Sequence, residues 1–226
     1  MVLVLWDIDH TLISTRGVGK ELSAAAFEEA TGLRMREQAK IDGITEPVIF
    51  RETAKLHGLT TGRADFERFA QALTEQHLGR AAELRERGHA LPGAAAVLDA
   101  LDGVGAVQTV VSGNVRAVAE IKLKTFGLDR YIRWELGAYG EDDDIRAELV
   151  RLALERSGTA AGDAVLLGDT PADVDAALSN RIRCIGVATG KSSEEELQRA
   201  GATAALPGLQ DMRRVLNAVC QAGQQP

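Results

Sequence analysis

Residues 2–11 read Val-Leu-Val-Leu-Trp-Asp-Ile-Asp-His-Thr, an apolar run that ends in two carboxylates, Asp7 and Asp9. The run from Val2 to Trp6 predicts a buried β-strand. Two acids one residue apart do not suit the interior of a strand, because unpaired buried carboxylates are strongly destabilising. They do suit the carboxyl end of a parallel strand, where open α/β sheets bind their ligands. We therefore predict a reaction centre at the end of the first strand.

The chain changes from a strand pattern to a helical pattern after Thr11 and stays helical to about Gly88. Within this block apolar residues recur at helical spacing and glycines separate the segments, but no credible strand occurs. We predict a small helical domain, residues 14–88, inserted into a second domain that consists of residues 1–13 and 89–226.

Helices and strands alternate from Leu91 onward. The candidate strands are the stretches 106–111, 131–136, 164–167 and 182–187, of which 131–136 has the weakest pattern. Such alternation predicts right-handed crossover connections and a parallel sheet with helices on both faces. The predicted fold class is therefore α/β.

The composition is that of a globular protein, with 45% hydrophobic residues and a formal net charge of −7. Basic residues are scattered rather than clustered on one face, which argues against nucleic-acid binding. No stretch approaches the roughly 20 apolar residues of a membrane span, and the N-terminal run lacks the basic flank of a signal peptide. We expect a cytoplasmic protein with Cys184 and Cys220 reduced and a frayed tail at 221–226.

Polar residues of similar kind follow three of the predicted strands. They are Asp7 and Asp9, then Ser112-Gly113-Asn114, then Gly168-Asp169-Thr170-Pro171-Ala172-Asp173. The carboxyl ends of parallel strands meet at one edge of the sheet, so these residues are expected to form one site. Carboxylates beside a hydroxyl and helix-start N–H groups suit a hard cation together with a phosphate.

These motifs, in their order and strand context, resemble those of the haloacid dehalogenase superfamily, and in particular its phosphoglycolate-phosphatase-like hydrolases. The helical block falls where many members carry a helical cap. The resemblance implies a Rossmann-like parallel-sheet core with a small inserted α-helical cap domain. It also implies a Mg²⁺-dependent phosphatase that acts on a small phosphorylated metabolite under a mobile lid.

The resemblance gives each of the four aspartates a role. Asp7 is the expected nucleophile, which forms an aspartyl-phosphate, and Asp9 is the expected general acid and base. The expected Mg²⁺ ligands are Asp7, the backbone carbonyl of Asp9, and Asp169. Asp173 is expected to bind the metal directly or through water, or to orient its neighbours.

The phosphate is expected to contact the Ser112 hydroxyl and the N–H groups around Gly113 and Asn114 at a helix start. Thr11 is a further phosphate-binding candidate, with a role in fixing the turn after Asp7 as the favoured alternative. Together these residues follow two different strands of the predicted sheet.

The superfamily also places a Lys or Arg just before the helix that precedes the last motif, where it neutralises the phosphate and holds the nucleophile. Arg146 is the best candidate in this chain, because an arginine there stays charged at all relevant pH values. Lys122 and Lys124 on the preceding helix are the alternatives.

His10 stands where the superfamily often has Gly, and we favour a packing or substrate-contact role over a chemical one. The other histidines, His57, His77 and His89, have no zinc-ligand spacing and are interpreted as helix-surface or loop residues. The acidic run 141–144 is interpreted as a solvated loop whose last residue caps the next helix.

Residues 41–47, Ile-Asp-Gly-Ile-Thr-Glu-Pro, are the most distinctive segment of the helical block. They fit a turn before a helix, with Thr45 as its N-cap and Pro47 in its first turn. They fit equally well a loop that faces the substrate, and both interpretations stay open. Arg16, Thr45 and Arg51 are the candidate substrate contacts.

Two further functions share the predicted residues. A phosphomutase would use the same site but keep water out, and a non-catalytic protein could bind phosphorylated metabolites on this fold. A dehalogenase is disfavoured because it needs neither the metal nor the acid Asp9. A phosphonate hydrolase needs a cap lysine, and the context distinguishes none of Lys20, Lys40 and Lys55. Neither the substrate nor the oligomeric state follows from the sequence.

Overall fold

The computed structural model describes residues 2–220, so the predicted tail at 221–226 lies outside the described residues. Seven strands occur in the described part: β1 (Leu3–Trp6), β2 (Ile13–Ser14), β3 (His89–Ala90), β4 (Val107–Val110), β5 (Ala164–Gly168), β6 (Arg183–Val187) and β7 (Ala204–Leu206).

Ten α-helices are found in the same residues, four of them between β2 and β3. They are α1 (Val18–Thr31), α2 (Glu46–Leu56), α3 (Arg63–Gly79), α4 (Ala81–Arg87), α5 (Ala94–Gly103), α6 (Arg116–Thr125), α7 (Arg146–Ser157), α8 (Pro171–Ser179), α9 (Glu194–Ala200) and α10 (Met212–Cys220). None of these helices is long and apolar enough to cross a lipid bilayer.

Five of the strands form one parallel sheet in the order β4-β1-β5-β6-β7. Strand β1 is fully buried, and its side chains alternate between two cores: Val4 and Trp6 pack on one face, Leu3 and Leu5 on the other. Helices therefore cover both faces, as the sequence predicts for a doubly wound α/β fold. The strand order changes direction at β1, which places the ligand crevice at its carboxyl end.

The predicted strand at 131–136 is wrong. The chain forms two 3₁₀ helices there, Asp129–Tyr131 and Trp134–Leu136. Local bonds such as Leu136 N–H to the Arg133 carbonyl close these turns. The segment still follows the edge of β4, but only one β-bridge forms, between Val111 and Ala138. The short edge strand β7 has no counterpart in the sequence prediction.

The helices α1, α2 and α3 share an apolar cluster that includes the aromatic residues Phe27, Phe50 and Phe69, and Leu84 of α4 packs in a separate cluster with α1. Strands β2 and β3 pair antiparallel, Ile13 with Ala90 and Ser14 with His89, so the two ends of this block lie side by side. We call residues 14–88 the helical insert. Its definition as a separate domain stays a prediction, and the ribbon of β2 and β3 supplies its physical basis.

A loop of the insert, residues 41–46, lies directly on the rest of the described chain, residues 2–13 and 89–220, which we call the sheet domain. The Glu46 N–H donates to the Gly113 carbonyl at 2.8 Å. A Cβ at Gly113 would meet the Ile44 carbonyl oxygen at 2.4 Å, and one at Gly140 would meet the Gly113 carbonyl oxygen at 2.1 Å. Glycine at both positions therefore permits this close approach.

Two ion pairs also join the insert to the sheet domain. Lys191 contacts Asp42 at 2.9 Å, and Arg51 contacts Asp144 at 2.8 Å. All four side chains are partly or largely exposed, so these pairs orient the insert more than they stabilise it.

Both cysteines are free thiols, as expected from the sequence: Cys184 is buried in the sheet, and Cys220 is exposed at the end of α10. Burial raises the pKa of the Cys184 thiol above its usual range. The buried thiol is therefore protonated and unreactive at neutral pH.

Gln108 is a buried polar residue that joins β1, β4 and α5. Its Oε1 accepts from the Trp6 indole N–H at 3.1 Å, and its Nε2 donates to the Leu98 carbonyl at 2.8 Å.

We expect Gln108→Leu to lower the free energy of unfolding by about 1–3 kcal/mol, because it leaves the Trp6 indole N–H and the Leu98 carbonyl unpaired. Chemical denaturation measures this loss. The same substitution at exposed Gln198 on α9 is the control and should cost much less.

Candidate active site

The site begins where β1 ends. Asp7 is buried, and its N–H donates to the Leu167 carbonyl of β5 at 2.9 Å. The N–H groups of residues 11–13 all turn back to the Ile8 carbonyl, which fixes the turn after the strand. Within this turn the Thr11 hydroxyl donates to Asp7 Oδ2 at 3.1 Å. Thr11 therefore orients the carboxylate of Asp7.

Arg146, the first residue of α7, bridges two aspartates. Its Nη2 donates to Asp7 Oδ1 and its Nε donates to Asp173 Oδ1, each at 2.7 Å. All three side chains are at least nine-tenths buried. The bidentate geometry of the guanidinium suits this bridge, which a lysine could not make in the same way.

Lys122 reaches the site as well, but it contacts the other acid. Its ammonium donates to both oxygens of Asp9, at 2.9 and 2.7 Å, and to Asn114 Oδ1 at 2.7 Å. Lys124, the second alternative, is exposed on α6. The structure thus gives the two acids separate cations, Arg146 for Asp7 and Lys122 for Asp9.

The pKa values of Asp7 and Asp9 shift in opposite directions. Burial and the neighbouring Asp173 raise the pKa of Asp7 to about 7, against the opposing effect of Arg146. Burial acts upward on Asp9 too, but the Lys122 charge and the hydrogen bonds from Lys122 and Asn114 hold the pKa of Asp9 below its usual value. Asp9 is therefore ionised at neutral pH in the free protein.

Ser112 and Asn114 follow β4 and meet the end of β1. The Asn114 amide Nδ2 donates to Asp9 Oδ2 and to the Ser112 hydroxyl, each at 2.8 Å. The Gly113 carbonyl is occupied by the N–H of Glu46. This loop therefore links the two strand ends and carries one loop of the insert.

The third strand end brings Asp169 and Asp173. Asp173 accepts from the N–H of Thr170 at 3.0 Å and from its hydroxyl at 2.7 Å, which forms the capping box of α8. Asp169 is 4% exposed, and a Cβ at Gly190 would lie 1.8 Å from its Oδ2. Burial and the charges of Asp7 and Asp173 raise the pKa of Asp169 to about 8.

The charges of this cluster fit a divalent cation. Asp7, Asp169 and Asp173 carry three negative charges when ionised, and Arg146 offsets one of them. Oxygen donors from carboxylates are the ligands that Mg²⁺ prefers. Within residues 2–220, however, no three acidic, histidine or cysteine side chains already surround one point. The donors are thus suitable in kind and number, while Arg146 holds oxygens of Asp7 and Asp173.

These residues line a cavity of about 170 Å³ between the sheet domain and the insert. Of the segment 41–47, five residues line it: Ile41, Asp42, Gly43, Ile44 and Glu46. The segment also begins α2 with Thr45 as N-cap residue and Pro47 in the first turn. The segment is therefore a turn before a helix that also lines the cavity, and its contact with a substrate stays a prediction.

None of the three candidate substrate contacts lines this cavity. Arg16 is exposed in the turn before α1, with φ at +47°. Thr45 is buried, and its hydroxyl donates to the Asp144 carbonyl at 3.2 Å. Arg51 pairs with Asp144 and lines a separate cavity of about 590 Å³. The sequence pattern places them near the site but cannot show which side of each element faces it.

His10 lies at the cavity with its side chain exposed. Its φ is +65°, a backbone conformation that favours glycine, which gives a physical reason for the frequent Gly in the superfamily. Its carbonyl accepts from the Thr189 hydroxyl at 2.5 Å. The main role of His10 in the structure is thus in the turn.

Two interpretations of the sequence need correction. Asp144 does not cap α7: the N-cap residue is Ile145, and Asp144 pairs with Arg51. In the same acidic run, the Glu141 carboxylate accepts the N–H of Arg116 at the start of α6. His77 is not a surface residue, because only 2% of it is exposed.

Sequence reasoning missed Glu46 and His77 as residues of the cavity. The signal for His77 was available, because Phe69, Leu73 and His77 are four residues apart and share the buried face of α3. Glu46 gave no such signal. It is the first residue of α2, and its orientation depends on how the insert lies on the sheet domain.

Two family models match this chain. A family model described as haloacid dehalogenase-like hydrolase matches residues 4–178, and a second, described as HAD-hydrolase-like, matches residues 146–212. The chain is also 26% identical over 218 residues to a 5'-nucleotidase from Pseudomonas aeruginosa, with 94% of each protein covered.

Solved structures share the fold. A hydrolase from Pseudomonas syringae superposes with a TM-score of 0.71 at 21% identity, covering 97% of this chain and 99% of that one. A protein from Bacteroides vulgatus, provisionally described as a β-phosphoglucomutase, has a TM-score of 0.70 at 20% identity and covers 100% and 91%. At this level of identity the similarity concerns the fold alone.

The acidic cluster makes a prediction about stability. Because the folded protein raises the pKa values of Asp7 and Asp169, its stability without metal should fall as pH rises from about 4 to about 8. We expect Asp169→Asn to unfold at a higher temperature than the unsubstituted protein in EDTA at pH 8. We also expect Mg²⁺ to raise the melting temperature of the unsubstituted protein more than that of Asp169→Asn.

Thermal denaturation at pH 6 and pH 8, with EDTA or with Mg²⁺, measures both effects. Asp175→Asn on the exposed side of α8 is the control and should leave the Mg²⁺ response intact. Equal Mg²⁺ responses in Asp169→Asn and the unsubstituted protein would contradict the role of Asp169.

Proposed function

The chain belongs to the haloacid dehalogenase-like hydrolase family, and from its site geometry we propose that it is a Mg²⁺-dependent phosphatase of a small phosphorylated metabolite. The observation that carries the proposal is the paired arrangement at the end of β1. Asp7 is held between Thr11 and Arg146, and Asp9 is held by Lys122 and Asn114. This arrangement supports the proposed roles of Asp7 as nucleophile and Asp9 as proton-transfer group, each with its own cation.

In the proposed reaction an oxygen of Asp7 attacks phosphorus, and the ester P–O bond breaks. The leaving alkoxide takes a proton from Asp9, which gives a free alcohol and an aspartyl-phosphate. Water then attacks phosphorus and gives a proton back to Asp9. The Asp7–phosphorus bond breaks, and phosphate leaves with both residues restored.

Asp9 must be protonated for the first half of this cycle, although it is ionised in the free protein. A bound phosphate adds negative charge near Asp9, and negative charge favours proton uptake by a carboxylate. Lys122 opposes this uptake and favours the ionised form that the water step needs. The balance between phosphate and Lys122 thus sets when Asp9 holds the proton.

The remaining residues bind and orient. Arg146 offers a permanent positive charge to the phosphoryl group, and the Ser112 hydroxyl and the Asn114 amide are hydrogen-bond donors beside it. Mg²⁺, when bound, reduces the repulsion between the carboxylate of Asp7 and the phosphate. Asp7, Asp169 and the backbone carbonyl of Asp9 are the proposed ligands, and Asp173, held by Arg146 and Thr170, orients them.

A phosphomutase remains the second candidate, because the insert loop 41–46 already lies on the sheet domain at Gly113 and covers the site. Such closure can keep water from the phosphoryl group. Non-catalytic binding is the third, and the complete set of Asp7, Asp9 and Asp169 weighs against it. Two statements stay predictions. The first is that the substrate is a small metabolite rather than a nucleic acid or membrane, and the second is that the protein is cytoplasmic.

Phosphate release from an aryl phosphate tests the proposal directly. We expect release with Mg²⁺, none with EDTA, and a loss of about 10³-fold or more in Asp7→Asn, because the nucleophile is removed. Asp163→Asn, away from the site, is the control. No release by the unsubstituted protein would favour a mutase or a binding role. Release that persists in EDTA would contradict the metal requirement.

Lys122→Met tests the control of Asp9. Removing the ammonium should raise the pKa of Asp9. Because the water step needs ionised Asp9, we expect the acidic limb of the pH profile of kcat to move up by about one pH unit or more. We also expect kcat to fall by about 10-fold or more. Lys124→Met, two residues further on the exposed side of α6, should match the unsubstituted protein. An unchanged acidic limb in Lys122→Met would show that Lys122 does not control the pKa of Asp9.

A further inference from the structure

Two buried polar atoms at the active-site cavity have no hydrogen-bond partner. Residues 2–220 contain three such side-chain atoms in all, Glu46 Oε2, His77 Nε2 and Arg183 Nε. Glu46 and His77 line the same cavity as Asp7, Asp9 and Lys122. An unpaired buried polar group is destabilising, so two at one cavity point to a ligand group that pairs with them.

The structure fixes what His77 offers to a ligand. Its Nδ1 lies 2.8 Å from the Leu73 carbonyl, which can only accept, so Nδ1 carries the proton. Burial lowers the pKa of His77 to about 4. His77 is therefore neutral at pH 7, and its unpaired Nε2 carries a lone pair. Its partner must be a hydrogen-bond donor.

Glu46, the first residue of α2, offers a carboxyl oxygen from another helix of the insert. Burial raises the pKa of Glu46 to about 7, with Lys122 acting downward and Asp9 upward. The carboxyl group is thus poised between a donor and an acceptor. A hydroxyl pairs with either form, because it both donates and accepts. A carboxylate ligand pairs with neither His77 nor the ionised form of Glu46.

The cations at the cavity do not change this conclusion. The Lys122 ammonium donates to Asp9 and Asn114, and Arg146 is held by Asp7 and Asp173. Lys20 also lines the cavity, but its side chain is exposed at the start of α1. The cavity of about 170 Å³ is also small compared with the range of about 300–1,000 Å³ for drug-sized ligands.

We propose that Glu46 and His77 form a hydroxyl-binding subsite, so that the preferred substrates are small phosphate monoesters whose alcohol part carries a further free hydroxyl. The inference rests on the proposed phosphatase function and names the substrate class of that site. Glu46 and His77 contact the alcohol part of the substrate, and Asp7, Asp9 and Arg146 act on the phosphate. Esters with a carboxylate in place of the hydroxyl are poor substrates.

Three phosphate esters of the same carbon length test the subsite. They are glycerol 3-phosphate, propyl phosphate, and the phosphate ester of 3-hydroxypropanoate, which carry hydroxyls, no polar group and a carboxylate. We expect kcat/KM for glycerol 3-phosphate to exceed that for each of the others by about 10-fold or more. Equal values for glycerol 3-phosphate and propyl phosphate would overturn the proposal.

Variants assign the preference to the two residues. We expect Glu46→Gln and His77→Phe each to reduce the ratio of kcat/KM between glycerol 3-phosphate and propyl phosphate at least about 3-fold. Glu52→Gln, on an exposed part of the same helix, should keep the ratio. A preference for the carboxylate ester that disappears in Lys20→Gln would overturn the proposal and assign the subsite to Lys20.

Binding measurements separate this inference from the proposed function. In Asp7→Asn protein, which lacks the nucleophile, titration calorimetry should show tighter binding of glycerol 3-phosphate than of propyl phosphate. The difference should shrink in Asp7→Asn with Glu46→Gln. If this binding preference is observed but the unsubstituted protein does not hydrolyse either ester, the phosphatase is rejected and the subsite is retained. Suppose instead that the unsubstituted protein turns over substrate and that Glu46→Gln and His77→Phe both leave the ratio of kcat/KM between glycerol 3-phosphate and propyl phosphate unchanged. That outcome would reject the subsite and retain the phosphatase.

Discussion

The arrangement of the site depends on the two ion pairs that Arg146 makes inside the protein. Asp7 follows β1 and Asp173 lies in α8 after β5, and both are buried beside each other. Without a shared cation two such carboxylates repel, and removing one partner of a buried pair costs about 3–5 kcal/mol. Arg146 brings a third element, α7, to the same point. The convergence of three chain segments on one charge fixes the edge of the sheet at which chemistry can occur.

Because Arg146 serves Asp7, Asp9 needs a cation of its own, and Lys122 provides it. The two acids are separated only by Ile8, in the turn that follows β1, and their carboxylates meet different neighbours. Asp7 is buried beside Asp173, and burial together with this like charge raises its pKa. Asp9 faces Lys122 and Asn114, which lower its pKa. The proposed roles of Asp7 as nucleophile and Asp9 as proton-transfer group thus follow from two environments rather than from two residue types.

The helical insert completes the site from the other side. It approaches the sheet domain through the loop 41–46 and brings Glu46 and His77 to the lining of the cavity, each with one unpaired buried polar atom. In the proposed function the sheet domain supplies the charges that act on phosphorus, and the insert supplies the groups that bind the alcohol. Under this proposal the phosphate and the alcohol are recognised by different parts of the chain, which allows one to change without the other.

The sequence by itself determined the sheet, the helical block and the positions of Asp7, Asp9, Ser112, Asp169 and Asp173, because strand ends are marked by a change from apolar to polar residues. It did not determine the segment 131–136, whose alternating pattern is also met by two 3₁₀ turns along an edge. Only the tertiary structure decided that Arg146 and Lys122 serve different acids and that Glu46 and His77, rather than Arg16, Thr45 and Arg51, face the cavity. Local pattern fixes where a side chain lies along an element, whereas its partner depends on how distant elements pack.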